Sequence, residues 1–253
     1  HKTEWIDQLA KLQFQRAMLY MKELRNDGKE YAKNCRLGRK EDVRRVVQKY
    51  GPDFAAPDTA LTGLMVALYH GQDEVADLLL KLEANINKHD TKGLPAIDYL
   101  LQGYYKNVIY RHTFTAGKNT LLKYWPLVKP ISVAIQQNRR RVNIGGHSMA
   151  YFLLVCMRCI EHEMTNKIRA KFPDTLRNDV VTGEFSMDDV MKFVECMPDE
   201  ILPSYRRQRN YVNSVLSSHE VNRDSPSNKK LFKRTKRGCY ILNPRLIYKI
   251  NIE

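Results

Sequence analysis

Apolar residues near the N-terminus recur every three or four positions between residues 3 and 25. An α-helix presents one apolar face at this period, so the pattern predicts an amphipathic helix that packs on the segment after it. Asn26-Asp27-Gly28 predicts the end of this helix. The apolar positions are Trp5, Ile6, Leu9, Leu12, Met18, Leu19 and Met21.

The segment after this helix repeats itself with a period of 32 to 33 residues. GRKEDVRRVV begins at Gly38, and the similar GQDEVADLLL begins at Gly71. Asp58-Thr59 matches Asp90-Thr91 in the same way. Such a period indicates stacked units, each of which buries its apolar face only against a neighbour. We therefore expect the first helix and the residues after 105 to cap the stack.

Residues 30–105 resemble a short stack of ankyrin repeats. Residues 61–87 are similar to one nearly complete repeat, residues 30–55 to a degenerate earlier repeat, and residues 93–105 to the start of a third. The T-P-L-H-x-A signature is matched at Thr62, Leu64 and Ala67, and the sequence departs from it at Gly63 and Met65.

The ankyrin resemblance implies a rigid, slightly curved stack that binds a protein partner and has no chemistry of its own. A second interpretation stays open, because two or three repeats also suit a scaffold that packs against the rest of the chain.

Residues 111–147 contain two prolines that exclude a long helix, Pro126 and Pro130. The sequence predicts a short helix after these prolines, and Val142–Ile144 is typical of a strand. We interpret residues 111–147 as a connector. Arg139–Arg141 are compatible either with contacts to a phosphate backbone or with a solvated loop.

Two buried helices are predicted after residue 147. Ser148 is a candidate helix cap, and residues 149–164 are apolar nearly all round at first, which is typical of a core helix. A short strand is predicted at Val180-Val181. Ser186-Met187-Asp188-Asp189 resembles a capping box, and apolar residues follow it at helical spacing. These residues are Val190, Phe193, Val194 and Met197.

A third helix is predicted to begin near Ser204. Its apolar stripe consists of Val212, Val215 and Leu216, with Tyr205 or Tyr211 as a further member. The opposite face carries side-chain types that bond phosphates and base edges: Arg206, Arg207, Arg209, Asn210 and Asn213.

The sequence then changes from a helical period to a strand-like period. Leu231–Arg234 and Cys239–Leu242 flank Thr235–Gly238, which predicts a hairpin. Gly238 provides the positive φ that such a turn requires. The basic turn is also compatible with a nuclear-import signal.

Residues 148–246 resemble a winged helix-turn-helix domain in the order of their elements, and FKRTKRGCYILNP at 232–244 resembles its wing. The resemblance implies a recognition helix over Ser204–Ser217 in the major groove and a wing tip at Lys233–Arg237 against phosphates or the minor groove. Candidate groove contacts are Arg206, Arg209, Asn210 and Asn213. Candidate phosphate contacts are Lys229, Lys230, Lys233, Arg234, Lys236 and Arg237.

Charge supports a polyanion ligand for the C-terminal region. The chain has a net charge of +14, and residues 203–253 contain 12 Lys and Arg against 3 Asp and Glu. This concentration is the electrostatic footprint of a nucleic-acid binder, although a soluble basic tail has the same composition. No apolar run reaches the roughly 18 residues of a membrane span. Five scattered cysteines predict reduced thiols in an intracellular compartment, either cytoplasm and nucleoid or nucleus.

Motifs that suggest chemistry are weak. Cys156, Cys159 and His162 have helical spacing, but steps of three rotate ligands off one face, so a buried helix is the better interpretation. Gly117–Thr120 lacks the first glycine of a phosphate loop. We identify no arrangement of nucleophile and base that would support catalysis. We expect no catalytic residue, no metal and no cofactor.

The sequence thus predicts a mainly α protein, a short ankyrin stack followed by an α+β winged-helix domain. Its expected parts are residues 1–110, a connector at 111–147, and residues 148–253. The first functional hypothesis is a non-enzymatic DNA-binding regulator with a protein partner on the stack. The second is an adapter in which both parts bind protein. An enzymatic role would require that the chain be one piece of a larger protein.

Overall fold

The computed structural model describes residues 2–55, 57, 59–111, 114–128, 131–135, 140–171 and 183–248. Within them the chain forms nine α-helices, two short 3-10 helices and two three-stranded antiparallel sheets. The expectation of a mainly helical chain with some β-structure is confirmed. Predictions at Asp58, Arg139 and Val180-Val181 lie outside the described residues.

The chain divides into two compact units, His1–Ala96 and Ile97–Glu253. The predicted parts 1–110, 111–147 and 148–253 stay predictions, because compactness does not test which segments fold by themselves. Among the described helices, none is both long enough and apolar enough to cross a bilayer.

The first unit consists of α1 (Lys2–Arg36), α2 (Lys40–Tyr50), α3 (Gly63–Tyr69) and α4 (Asp73–Lys81). The sequence predicted that α1 ends at Asn26-Asp27-Gly28. This prediction is wrong, because α1 continues to Arg36. Instead Asp27 accepts hydrogen bonds from the Tyr50 hydroxyl at 2.6 Å and from Lys49 Nζ at 3.0 Å. Gly28 is buried. These contacts hold a helical turn that the local sequence disfavours.

The predicted packing of the apolar face of α1 is wrong for its middle part. Leu12, Met18 and Leu19 are all more than half exposed, whereas Tyr31 and Cys35 near the end of the helix are buried. The reason is length. α1 has 35 residues and α2 has 11, so α1 extends well beyond the helices that it contacts.

The sequence period is also a period of the backbone. Gly38 and Gly71 have φ values of 72° and 67°, and Ala60 and Gly93 have φ values of 52° and 75°. The members of each pair lie 33 residues apart. Since left-handed backbone defines a specific turn, the same turns recur in successive sequence repeats of the first unit.

The recurring turns bond to each other. The backbone N–H of Asn85 donates to Asp53 Oδ1 at 2.9 Å, and the N–H of Thr91 donates to the Thr59 carbonyl at 3.1 Å. Each contact joins one turn to its counterpart about one period later. Two hydrogen bonds thus link turns that lie one sequence period apart, and the repeat stack itself stays a prediction.

Both departures from the T-P-L-H-x-A signature have a physical reason. A Cβ atom at Gly63 would lie 2.6 Å from Cζ of Tyr31, a buried residue of α1. Met65 takes part in the cap of α3: its N–H donates to Thr62 Oγ1 at 3.3 Å, and its sulfur accepts the Thr62 N–H at 3.4 Å. Gly63 is thus required by the Tyr31 ring of α1, and Met65 contributes to the cap of its own helix.

In its described residues, the second unit contains five α-helices, two 3-10 helices and both sheets. The helices are α5 (Ala96–Tyr110), α6 (Lys118–Tyr124), α7 (Met149–Lys171), α8 (Met187–Glu195) and α9 (Arg209–Ser218), and the 3-10 helices are Trp125–Leu127 and Ser204–Arg207. The strands are β1 (Ile131–Ile135), β2 (Arg140–Ile144), β3 (Phe185–Ser186), β4 (Phe232–Lys236), β5 (Cys239–Leu242) and β6 (Leu246–Tyr248).

α7 lies at the centre of this unit and contacts α8, α9 and β5. Residues 149–160 are all buried, as the sequence predicted. Arg158 Nη2 lies 3.1 Å from Asp98 Oδ2, and both side chains are buried, so an ion pair ties α5 to α7 inside the core. Such a pair stabilises the fold only while both members are present.

The sheet order shows one wrong prediction. The short helix expected after Pro126 and Pro130 is strand β1, which pairs antiparallel with β2 and with β6. β-branched residues at Ile131, Val133 and Ile135 alternate with small ones, and this period of two favours a strand. The second sheet has the order β3-β5-β4.

Both predicted helix caps are confirmed. Ser148 Oγ accepts the N–H of Tyr151 at 3.2 Å at the start of α7. At the start of α8, Ser186 Oγ accepts the N–H of Asp189 at 3.2 Å, and Asp189 Oδ2 accepts the N–H of Ser186 at 3.1 Å. Because Ser186 also belongs to β3, this capping box joins the sheet directly to α8.

Candidate nucleic-acid interface

The predicted recognition helix is shorter than expected. α9 begins at Arg209, and the four residues Ser204–Arg207 form a separate 3-10 helix. Gln208 between them is extended, with φ −70° and ψ 132°, so it breaks the helical path. Arg206 and Arg207 therefore lie before α9 and not within it.

α9 presents a polar face to solvent. Val212 and Leu216 are buried and Val215 is half-buried, which confirms the predicted apolar stripe. Tyr205 and Tyr211 do not join this stripe, because they are 54% and 36% exposed. The exposed predicted residues on α9 are Arg209, Asn210 and Asn213.

The predicted hairpin is present as β4 and β5. Phe232 pairs with Leu242 and Lys236 with Cys239, with a bulge between Arg234 and Lys236. β4 is an edge strand, and the four residues after Phe232 are exposed. An edge strand with a row of cations resists pairing with other strands, and its charged side chains are exposed to solvent.

The hairpin is fastened at its tip. Gly238 has φ 75°, as predicted, and its carbonyl accepts the backbone N–H of Met187 at 2.9 Å. Met187 is the first residue of α8. The turn therefore satisfies one of the free N–H groups at the start of that helix.

Helix α9 and the hairpin lie side by side. Arg234 Nη2 donates to the Tyr240 hydroxyl at 2.7 Å, and its guanidinium carbon lies 5.2 Å from the centroid of the Tyr240 ring. The Tyr240 hydroxyl donates in turn to Asn213 Oδ1 at 3.3 Å. We call Arg234, Tyr240 and Asn213 the bridge. It brings two predicted contact residues from two elements onto one continuous surface.

Four predicted cations pair with carboxylates of the same unit. These surface pairs are individually weak, because solvent screens them and the side chains lose entropy. A phosphate can therefore compete for each of these cations. The pairs are Arg209–Asp188 at 2.7 Å, Lys236–Glu184 at 2.8 Å, Arg234–Glu220 at 3.4 Å, and Arg207–Asp199.

Glu184 contacts two residues of the hairpin tip. It accepts hydrogen bonds from Lys236 Nζ and from the Thr235 hydroxyl. The hydrogen bond from Lys236 holds the pKa of Glu184 below its usual value, and the same contact raises the pKa of Lys236. Glu184 thus stays ionised at neutral pH and offsets part of the positive charge at the tip.

Two hairpin cations face solvent alone. Lys233 and Arg237 are exposed, and neither side chain has a hydrogen bond or ion pair within the part of the chain that the structure describes. They need not release an internal partner before they contact a phosphate. Of the predicted phosphate contacts on the hairpin, they are the most readily available.

The Lys230 side chain stabilises the loop between α9 and β4. Its Nζ donates to the carbonyl of Val221 at 2.9 Å and to that of Arg223 at 2.6 Å. The buried Asn228 side chain donates to the carbonyls of Glu220 and Arg223 at 2.7 and 2.6 Å. Both side chains hold the loop between α9 and β4, so the Lys230 ammonium is already occupied.

Lys229 lies in the same loop beside His219. Its backbone N–H donates to Nδ1 of His219 at 3.3 Å. Burial lowers the pKa of His219, with a smaller contribution from the Lys229 charge. His219 therefore stays neutral near pH 7 and keeps the acceptor that this contact requires.

Sequence reasoning missed the role of the Tyr240 hydroxyl and treated this residue only as an apolar strand position. A signal was present, because Arg234 and Tyr240 are cross-strand partners in a hairpin closed by Gly238. The pairing of Asp188 and Asp199 with arginines was not predicted from the sequence either. Of the acidic residues 188 and 189, only Asp189 caps α8, and Asp188 pairs with Arg209.

The cysteine-rich part of α7 is core. Cys156 and Cys159 are buried free thiols, and burial raises the pKa of Cys156 well above its usual value. The side chain of His162 lies outside the described part of the chain. Among the described residues, no group of three or more His, Cys, Asp or Glu side chains is arranged to hold a metal ion.

Comparisons with protein-family models, with curated proteins and with solved structures found no match.

Proposed function

We propose that this protein is a non-enzymatic, intracellular DNA-binding regulator. In this proposal residues 148–246 act as a winged-helix domain that binds duplex DNA, and the repeated helices of residues 30–105 act as an ankyrin stack that binds a protein partner. The protein would recruit that partner to nucleic acid or regulate it there.

The bridge is the observation that carries the DNA part of the proposal. A helix that reads a groove and a hairpin that contacts the adjoining backbone must present their side chains to the same duplex. The Arg234–Tyr240–Asn213 contacts supply that arrangement, since Asn213 is on the exposed face of α9 and Arg234 is on the hairpin. Asparagine bonds adenine edges well, and arginine bonds guanine edges or phosphates.

Charge supports the same proposal. Residues 203–253 carry 12 cations and 3 anions, and they contribute α9, the loop and the hairpin. Lys233 and Arg237 extend into solvent from the hairpin. A phosphate backbone releases condensed counterions when such cations bind, so affinity should fall steeply with salt.

The recurring turns support the protein-binding part. The backbone repeats with a period of 33 residues at Gly38 and Gly71 and again at Ala60 and Gly93. Stacked repeats of this length present their turns along one edge, where protein partners of repeat stacks bind.

A duplex titration at several salt concentrations tests the DNA part, with Lys233→Ala/Arg237→Ala as the variant. We expect the variant to bind more weakly at low salt and to have a salt slope shallower by about two, because two fewer phosphates are neutralised. Neither side chain has an internal partner in the described chain, so the thermal midpoint should stay unchanged.

Lys22→Ala/Lys29→Ala is the matched control. Both lysines are exposed on α1, so the control removes the same charge from the other unit. It should bind like the wild type. Equal losses of affinity in the two variants would mean that net charge alone attracts DNA, and no detectable wild-type binding at low salt would overturn the proposal.

A second function is favoured by one observation. Arg207, Arg209, Arg234 and Lys236 already pair with carboxylates, which leaves a surface of mixed charge around α9. Mixed-charge surfaces suit protein partners. An adapter whose two parts both bind protein would show no salt-dependent binding of duplex DNA.

A further inference from the structure

Two tyrosines stand exposed beside the predicted recognition helix. Tyr205 lies in the 3-10 helix before α9, and Tyr211 lies in the first turns of α9. They are 54% and 36% exposed, and their ring centroids are 6.2 Å apart at an interplanar angle of 75°. Large aromatic rings usually bury most of their area, so an exposed pair on a basic surface suggests a ligand.

Arg206 holds the Tyr205 ring in place. Its Nε donates to the Tyr205 hydroxyl at 3.0 Å, and its guanidinium carbon lies 5.6 Å from the ring centroid. Its Nη1 donates to the carbonyl of His147 at 3.3 Å. The Arg206 guanidinium and the Tyr211 ring thus both contact the Tyr205 ring, while much of its area still faces solvent.

Helical geometry places this pair away from the hairpin. Residues 211 and 213 are roughly 200° apart around the axis of α9. Asn213 faces the hairpin through the Tyr240 hydroxyl, so Tyr211 lies on the opposite flank of the helix. The exposed Asn210 and Ser214 lie between these flanks. A duplex on the middle face would therefore leave the tyrosines at its border.

Aromatic rings next to guanidinium groups bind unpaired bases better than the stacked bases of a duplex. In a duplex the base faces are covered by their neighbours, so an aromatic side chain cannot stack on them without unstacking the helix. Unpaired bases offer an open π-face and stack on tyrosine and arginine planes without regard to sequence.

We propose that Tyr205 and Tyr211 form a stacking site for unpaired nucleotides that adjoin a duplex bound on α9 and the hairpin. This inference rests on the proposed function and narrows its ligand to duplex DNA with a single-stranded extension. Arg206 supports the site by fixing Tyr205 and by supplying a positive charge to the extension.

Three labelled probes test this inference by fluorescence anisotropy: a blunt duplex, the same duplex with a short unpaired overhang, and the unpaired strand alone. We expect the overhang to tighten wild-type binding at least about fivefold, as one stacked base would. Tyr205→Ala and Tyr211→Ala should lose this gain and bind the blunt duplex as the wild type does. Tyr205→Phe and Tyr211→Phe should keep it, because they keep the ring.

A fluorescent base gives a second readout that does not depend on affinity. 2-Aminopurine in the overhang should be quenched by saturating wild-type protein and by the Phe variants, but not by the Ala variants. Tyr20→Ala is the matched control, since Tyr20 is 57% exposed on α1, and it should behave as the wild type. Circular dichroism confirms that each variant is folded, and if an Ala variant unfolds, the wild-type quenching and the overhang gain still decide the matter.

The outcomes separate the two proposals. Salt-dependent binding of the blunt duplex without any overhang gain would overturn the stacking site and leave the proposed function standing. An overhang gain that the Ala variants retain would do the same. Failure of all three probes to bind at low salt would overturn both.

Discussion

At the scale of single residues, close packing explains where the chain departs from its expected patterns. Gly63 occupies a signature position at which a side chain would collide with Tyr31. Lys230 looks like a phosphate contact in the sequence, yet its ammonium bonds two carbonyls of its own loop. Composition predicted a charge at this position, but only the fold decides what a long flexible side chain reaches.

Gly63→Ala should destabilise the first unit. The new Cβ would lie 2.6 Å from Cζ of the buried Tyr31 ring, and such overpacking typically costs about 1–3 kcal/mol. Urea or thermal unfolding measures the change in stability. Gly117→Ala is the control, because a Cβ there meets nothing within 4 Å. Equal stability of the wild type and Gly63→Ala would show that Tyr31 moves aside freely.

At the scale of elements, the local patterns were enough for much of the second unit. The caps at Ser148 and Ser186, the apolar stripe of α9 and the turn at Gly238 are all confirmed, because each depends on residues close in sequence. The sequence did not predict that α1 continues beyond Gly28 or that residues 131–135 form a strand. Those elements depend on contacts with distant segments, such as Tyr50 with Asp27 and β6 with β1.

In the candidate interface too, local features were predicted and contacts between distant segments were not. The residue types on α9 and the hairpin were predicted, whereas the bridge and the four carboxylate partners were not. A pattern of period two or 3.6 identifies which side chains share one face of an element. It does not say which side chains of another element meet them, since that depends on the packing of both elements on α7.

Tyr240→Phe should weaken duplex binding. The change removes the hydroxyl that joins Arg234 to Asn213 and keeps the buried ring, so the two elements lose their common support. We expect affinity to fall about twofold to tenfold, equivalent to one hydrogen bond of about 0.5–1.5 kcal/mol. Anisotropy titration measures the affinity.

Tyr104→Phe is the matched control for Tyr240→Phe. Tyr104 is also buried in the second unit, and its hydroxyl donates to the Cys196 carbonyl at 2.9 Å. It should lower the thermal midpoint by a similar amount and leave DNA affinity unchanged. Parallel decreases of affinity in both variants would mean that general stability, and not the bridge, sets binding.

At the scale of the whole molecule, charge is distributed very unevenly. Residues 1–110 carry 17 cations and 15 anions, whereas residues 203–253 carry 12 and 3. Four cations of the basic region pair with carboxylates, of which Glu184, Asp188 and Asp199 precede the region and Glu220 lies within it. These carboxylates should lower the affinity for a polyanion, because each cation must exchange an internal partner for a phosphate.

Glu184→Gln should therefore tighten duplex binding. Lys236 loses its ionic partner, although an amide oxygen still accepts its hydrogen bond, and the hairpin tip gains one net positive charge. We expect a steeper salt slope by up to about one and tighter binding at low salt. Glu74→Gln on α4 is the control, because Glu74 pairs with Lys40 at 3.2 Å on the first unit. An unchanged slope in Glu184→Gln would show that Lys236 does not contact phosphate.

The attachment of the hairpin tip to α8 has a consequence for binding entropy. A free basic arm would lose its conformational freedom only when it meets a ligand, and that loss would weaken the complex. Here the Gly238 carbonyl is bonded to the Met187 N–H, and Lys236 is held by Glu184. The backbone of the hairpin is therefore ordered during folding. Its association with a ligand should show little of the heat-capacity change that accompanies folding coupled to binding.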